Sequence, residues 1–178
     1  WQTEKSLVKY LDMRDGKVVF YLESAITTDD EETDDVVPGN ALIGAFDASG
    51  KLIWSWHIWV TNGNPSENTI TLNGREMMNV NLGADCNSEG EDDKDMIGRS
   101  YGMYYQWGRR SPIVGSQDWN FSLNADKQVY NDEGVLVRLL YAESDAEVGV
   151  VEWAESNPMT MITGNADNSY DWPYEGHD

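Results

Sequence analysis

The sequence predicts an α+β module rich in antiparallel strands, with two short helices. Three observations predict it. Residues 41–60 form a hairpin pattern that carries a run of indoles. Asn73-Gly74 sits between two short β-prone runs. Two segments, residues 101–107 and 145–156, place apolar groups at helical intervals.

Along the chain, Lys17–Glu23 alternates as a strand after an Asp15-Gly16 turn signal. Then comes Asp29-Asp30-Glu31-Glu32-Thr33-Asp34-Asp35, with six acids in seven positions. Like charges repel, so this run reads as a loop or as a cation site. Asn40–Phe46 and Lys51–Val60 are strands joined by Asp47-Ala48-Ser49-Gly50. Thr69–Leu72 and Glu76–Val80 flank Asn73-Gly74, which calls for a type I′ turn. Residues 85–95 are acidic and poor in apolar groups, and read as a second loop. Met103 and Trp107 lie four apart, with Arg109-Arg110-Ser111-Pro112 as a helix stop. Val135–Tyr141 and Met159–Ile162 are short strand candidates. Asp145 can cap the helix of residues 145–156, and Asn157-Pro158 ends it.

The indole run is Ile53-Trp54-Ser55-Trp56-His57-Ile58-Trp59. In a strand, Trp54, Trp56, Ile58 and Val60 share one face, and Ile53, Ser55, His57 and Trp59 the other. Both faces carry large apolar groups, so the strand is expected to be covered on both sides. The expected core is Trp54, Trp56, Ile58, Trp59, Tyr104 and Trp107.

The chain has 178 residues, 40% hydrophobic and 11% aromatic, which suits a folded domain with a real core. Net charge is −20, so the surface repels nucleic acid, whose binding relies on basic contacts to phosphate. The acidity reads as solubility or as divalent-cation binding. Cys86 is the one cysteine, which excludes an internal disulfide and a thiolate-rich zinc site. No apolar run reaches membrane-spanning length, so no transmembrane segment is expected. The first residue is Trp1, not Met, which implies an upstream region or leader.

Catalytic motifs are absent from the sequence: there is no G-x-S-x-G, no H-E-x-x-H and no P-loop. His57, inside the indole strand, reads as a core histidine rather than a general base, and His177 as a solvated one. Carboxylates abound, but none stands out as a glycosidase pair. The chain reads as a non-enzyme with no required cofactor. For calcium, the candidates are Asp29, Asp30 and Asp34 in the first acidic run and Asp92, Asp93 and Asp95 in the second. An EF-hand template over Asp167–Asp178 fails, because Trp172 stands where Gly is needed for the turn. Trp119, Tyr170, Trp172 and Tyr174 lie in polar segments. They are either sugar-stacking platforms or plugs that hold loops to the core.

Three segments carry a resemblance. They are Gly39-Asn40-Ala41-Leu42-Ile43-Gly44-Ala45 leading to Ile53–Thr61; Met78-Asn79-Val80-Asn81-Leu82-Gly83-Ala84; and Gly102-Met103-Tyr104-Tyr105-Gln106-Trp107-Gly108-Arg109-Arg110-Ser111-Pro112. Together they resemble the modules that end many Bacteroidetes fimbrillin-like surface proteins, related to the Fibrobacter succinogenes major paralogous domain. Ser156-Asn157-Pro158-Met159-Thr160 is similar to the stretch that follows in such modules. Met77-Met78 departs mildly from the family's usual Trp-Met.

The resemblance covers residues 39–172 and implies two parts: residues 1–38 as an N-terminal strand and acidic loop ending a preceding domain, and 39–178 as the module itself. It implies a shape similar to C-type lectin-like folds. It implies a lipoprotein or pilus component on the outer-membrane surface, in a structural or adhesive role, with other surface or pilus subunits as partners. The alternative, a carbohydrate-binding lectin-like module with glycan as partner, rests on the Trp and Tyr candidates above and not on the resemblance. It carries over no catalytic residue. Family members continue after an Asp-Trp like Asp171-Trp172 into a Cys-Pro-Pro-Gly-containing segment, whereas Asp178 is the last residue here. The resemblance therefore implies a truncated module whose remainder is cleaved, disordered or supplied as a separate C-terminal fragment.

Overall fold

The computed structural model describes residues 7–26, 32–61, 63–84, 86–87, 90, 92–114, 129–137, 139–165 and 171–173. These residues are strand-rich, with largely antiparallel two-stranded pairings and two short helices, an α+β composition. They fall into two compact units. Unit 1 draws on residues 1–41, 58–102 and 116–137, and unit 2 on residues 42–57, 103–115 and 138–178.

Unit 1 opens with the hairpin of β1 (Val8–Arg14) and β2 (Lys17–Leu22). Asp15 and Gly16 both take positive φ, 52° and 71°. That is the geometry of a two-residue type I′ turn, whose twist matches the strands it joins. Tyr10 and Tyr21 are directly opposite, with ring centroids 5.6 Å apart. The sequence reading found β2 but not β1, because the adjacent Tyr10-Leu11 pair breaks the alternation that would mark a strand.

β3 (Ser24–Ile26) pairs antiparallel with β4 (Glu32–Val36) through a shifted register. The first acidic run is therefore not wholly a loop: its second half, Asp34 included, lies in a strand. The backbone of that half finds its partner in β3, which the local charge pattern does not reveal.

β5 (Gly39–Phe46) and β6 (Leu52–Val60) pair as the expected hairpin. Asp47 organises the connection. Its carboxylate accepts from Ser49 Oγ at 2.6 Å, from Ser49 N at 2.8 Å and from Lys51 N at 3.0 Å. The second hairpin, β7 (Thr69–Leu72) and β8 (Arg75–Met78), is also as expected. Asn73 and Gly74 have φ of 51° and 76°, again a type I′ turn.

Two expectations fail around residue 100. The helix lies earlier, as α1 (Lys94–Arg99), and consumes the end of the second acidic loop. The segment expected to be helical holds β9 (Met103–Tyr104) instead, paired antiparallel with β10 (Ile113–Val114). Gly102 explains the break. Its φ is +69°, and a Cβ there would collide with the carbonyl oxygen of Leu82. A left-handed residue pressed against a neighbouring backbone cannot continue a helix.

β11 (Val129–Tyr130) pairs antiparallel with β12 (Leu136–Val137). In unit 2, β13 (Leu140–Glu143) runs parallel to β14 (Thr160–Thr163), the two linked through α2 (Val151–Ser156). The expected helix of residues 145–156 is thus shorter. Its first part is a turn, in which Asp145 accepts from the amides of Glu147 and Val148, each at 2.8 Å.

The indole strand is covered only from Ser55 onward: Ser55 and Val60 are buried and Trp56, Ile58 and Trp59 half-buried, but its start is not. Ile53 is 61% exposed and Trp54 46%. Tyr104 is also exposed, and Trp107 is 74% exposed. The core of unit 2 is built instead on Ala154, Ile162 and Trp172, with Val148 and Trp153 packed against them. Ile43 and Ile113 are further buried residues of unit 2, and Val60 and Ala84 are buried in unit 1. No helix among the described residues is long and apolar enough to cross a membrane.

Candidate functional site

The polar groups of the segment Gly102–Pro112 converge on the backbone of unit 2. Gln106 follows β9, and its carboxamide behaves like one more backbone unit: Nε2 donates to Ile162 O at 2.7 Å, and Oε1 accepts from Ile162 N at 3.1 Å. It holds β14 as a neighbouring strand would. Arg109 is buried. Its guanidinium donates to Gln106 Oε1 and to Thr160 O, both at 2.6 Å, and to Asn157 O at 3.1 Å. Weaker contacts reach Ala154 O and Pro158 O. These carbonyls lie at and just beyond the C-terminal end of α2, where unpaired acceptors and the negative end of the helix favour a cation. Burial pushes the Arg109 pKa down, since water is no longer there to solvate the charge.

Other buried polar groups of unit 2 are used in the same way. Ser55 Oγ and Ser111 Oγ are 2.8 Å apart in a buried pair. Ser144 is fully buried and donates through Oγ to Trp172 O at 2.6 Å. Trp172 Nε1 donates to Trp107 O at 2.8 Å.

Trp172, read from the sequence as a sugar-stacking platform or a plug, is only 8% exposed and belongs to the core. Its ring is unavailable to an outside ligand. Trp119, Tyr170 and Tyr174 lie outside the described residues. Among the calcium candidates, Asp29 and Asp30 also lie outside them. Asp34 is in β4. Asp92 and Asp93 are exposed ahead of α1, and Asp93 O accepts from Ile97 N at 3.0 Å. Asp95 is in α1. No group of three metal-ligating side chains occurs among the described residues. His57 is half-buried, and desolvation lowers its pKa.

Trp54 has an occupied face: the Arg110 guanidinium lies 3.7 Å from its ring centroid, and Arg110 Nη1 reaches Glu155 Oε1 at 3.4 Å. The pair is a cation–π contact backed by an ion pair.

Sequence reading missed one feature, a cleft of about 330 Å3 within unit 1. Trp59 lines it, with its indole held in place by a 3.0 Å bond from Nε1 to Ala84 O. Val80, Ala84 and Met96 supply apolar lining, and Asn64, Asn68 and Asn87 carboxamides. The Asn64 side chain is used within its own turn, accepting from Ser66 and donating to Glu67. The carboxamides of Asn68 and Asn87 make no hydrogen bond among the described residues. Asparagines scattered over some 25 positions carry no periodic signal, so only the fold brings them together. No protein-family model, no curated protein and no solved structure matches this chain.

Proposed function

We propose that this chain is a non-enzymatic module of a bacterial cell surface or fimbria, with a structural or adhesive role. One observation carries the reading. Gly102–Pro112 is the longest uninterrupted segment of the resemblance to fimbrillin-like modules, and its distinctive polar residues, Gln106 and Arg109, are committed to backbone groups. Residues that brace a fold in this way are what a display scaffold needs. A strand-rich composition and a strongly acidic, soluble surface suit the same role. On this reading the shape is C-type lectin-like, the location is outside the outer membrane, and the partners are other surface or pilus subunits.

Protease shaving tests it. Intact cells of the organism that makes the protein are treated with a non-permeant protease and probed with an antibody to this chain. Loss of the chain from intact cells, with a cytoplasmic marker preserved, is expected. Degradation only after lysis would overturn the surface assignment.

A further inference from the structure

We propose that the cleft beside Trp59 binds a single neutral sugar ring, without a metal ion. The inference gives the proposed adhesive role a ligand, but it stands on the cleft itself, and its test does not depend on where the protein resides.

The lining selects the ligand by exclusion and then by fit. A cation is disfavoured by Arg99, the last residue of α1, which lines the cleft. An anion would have to compete for Arg99, which is already engaged within the chain, and approach a molecule of net charge −20. A wholly apolar ligand would displace water from the Asn68 and Asn87 carboxamides without replacing its hydrogen bonds, which costs free energy. What remains is a neutral molecule with both hydroxyl groups and an apolar face.

A pyranose has that character. Its hydroxyls both donate and accept, and so does a carboxamide, so Asn68 and Asn87 can each pair with adjacent hydroxyls. Its C–H face is apolar and can lie on an indole. Trp59 is suited to this because Nε1 is already satisfied by Ala84 O, which fixes the ring plane before any ligand arrives. The volume of about 330 Å3 lies near the lower end of small-molecule sites, roughly 300–1,000 Å3, which favours one ring over a long chain. Cys86 is also at the cleft, but its thiol donates to Met96 O at 3.6 Å and serves the wall.

The test is saturation-transfer NMR on the whole chain with the methyl glycosides of glucose, mannose, galactose, fucose and N-acetylglucosamine, in buffer containing EDTA. Transfer to the ring protons of at least one glycoside is expected. The double variant Asn68→Ala/Asn87→Ala should weaken that binding about tenfold or more, the scale of two lost neutral hydrogen bonds, with an unchanged melting temperature. Trp107→Ala, which removes the most exposed indole of unit 2, should leave binding unchanged. No transfer from any of the five glycosides would overturn the proposal. So would undiminished binding by the double variant, or binding lost with Trp107→Ala. None of these failures bears on the shaving experiment, which uses no sugar.

Discussion

The Arg109 guanidinium donates to the carbonyl oxygen of Thr160 at 2.6 Å, so an arginine from the aromatic segment fixes the first residue of β14. Replacing it with methionine keeps much of the volume but leaves a set of carbonyls without their donor. Arg109→Met should therefore destabilise unit 2 by on the order of 3 kcal/mol. Arg109→Lys should recover only part of this, because a single ammonium cannot replace the two nitrogens that reach Thr160 O and Asn157 O. Urea denaturation followed by near-ultraviolet circular dichroism checks both. Equal stability of Arg109→Met and the parent would remove the bracing role.

Trp172 and Trp107 offer a paired comparison. Trp172 is buried in the core, whereas the Trp107 side chain is 74% exposed. Trp172→Ala should cost about 3–5 kcal/mol, the usual range for truncating a buried indole. Trp107→Ala should stay within about 0.5 kcal/mol of the parent, as surface changes do. Thermal melts of the two variants decide it, and the reverse ranking would contradict this placement of the core.

Gly102→Ala combines a positive φ with a collision against Leu82 O. Neither strain is relieved by rotating a side chain, since both involve backbone. A loss of about 2 kcal/mol or more is expected. Gly74→Ala is a useful control: its φ is also positive, +76°, but a Cβ there meets nothing within 4 Å, so its cost should be smaller.

Acid should loosen two turns. Hydrogen bonds from Ser49 and Lys51 hold the Asp47 carboxyl below the ordinary aspartate range, and those from Val148 and Glu147 do the same for Asp145. For a carboxyl depressed in the folded state, the stabilisation is full above the unfolded pKa. It is lost as pH falls through the folded pKa. The amide resonances of Ser49, Lys51, Glu147 and Val148 should thus hold steady on acidification until below the usual aspartate range, then shift together. Shifts centred on the usual aspartate value would show that the carboxylates are not held.

What could be read from the sequence was local. Asn73-Gly74 and Asp15-Gly16 announce type I′ turns because few residues accept two successive positive φ angles, and both turns formed. Asp47-Ala48-Ser49-Gly50 carried its own side-chain acceptor, and that hairpin formed too. The indole ladder was different. Its residue types established a strand, but which side is covered depends on elements far away in sequence, and Ile53 and Trp54 stayed exposed. Met103 and Trp107 gave helical spacing by coincidence, while Gly102 and the pairing of Tyr104 with Ile113 set the conformation. The parallel pairing of β13 with β14 had no local signature at all. For function, the polar residues of Gly102–Pro112 were noted as a motif, yet their task became visible only with the carbonyls they meet. The cleft at Trp59 was invisible for the same reason.

The parallel pair and its connecting helix have a consequence for how the chain organises itself. Leu140 and Thr160 are partners only twenty positions apart, and Trp172 lies just beyond. Closing so short a loop costs little chain entropy, and much of the unit 2 core comes from this one stretch. The C-terminal stretch thus has the means to act as a nucleus, onto which Arg109 and Gln106 lock later as a clasp.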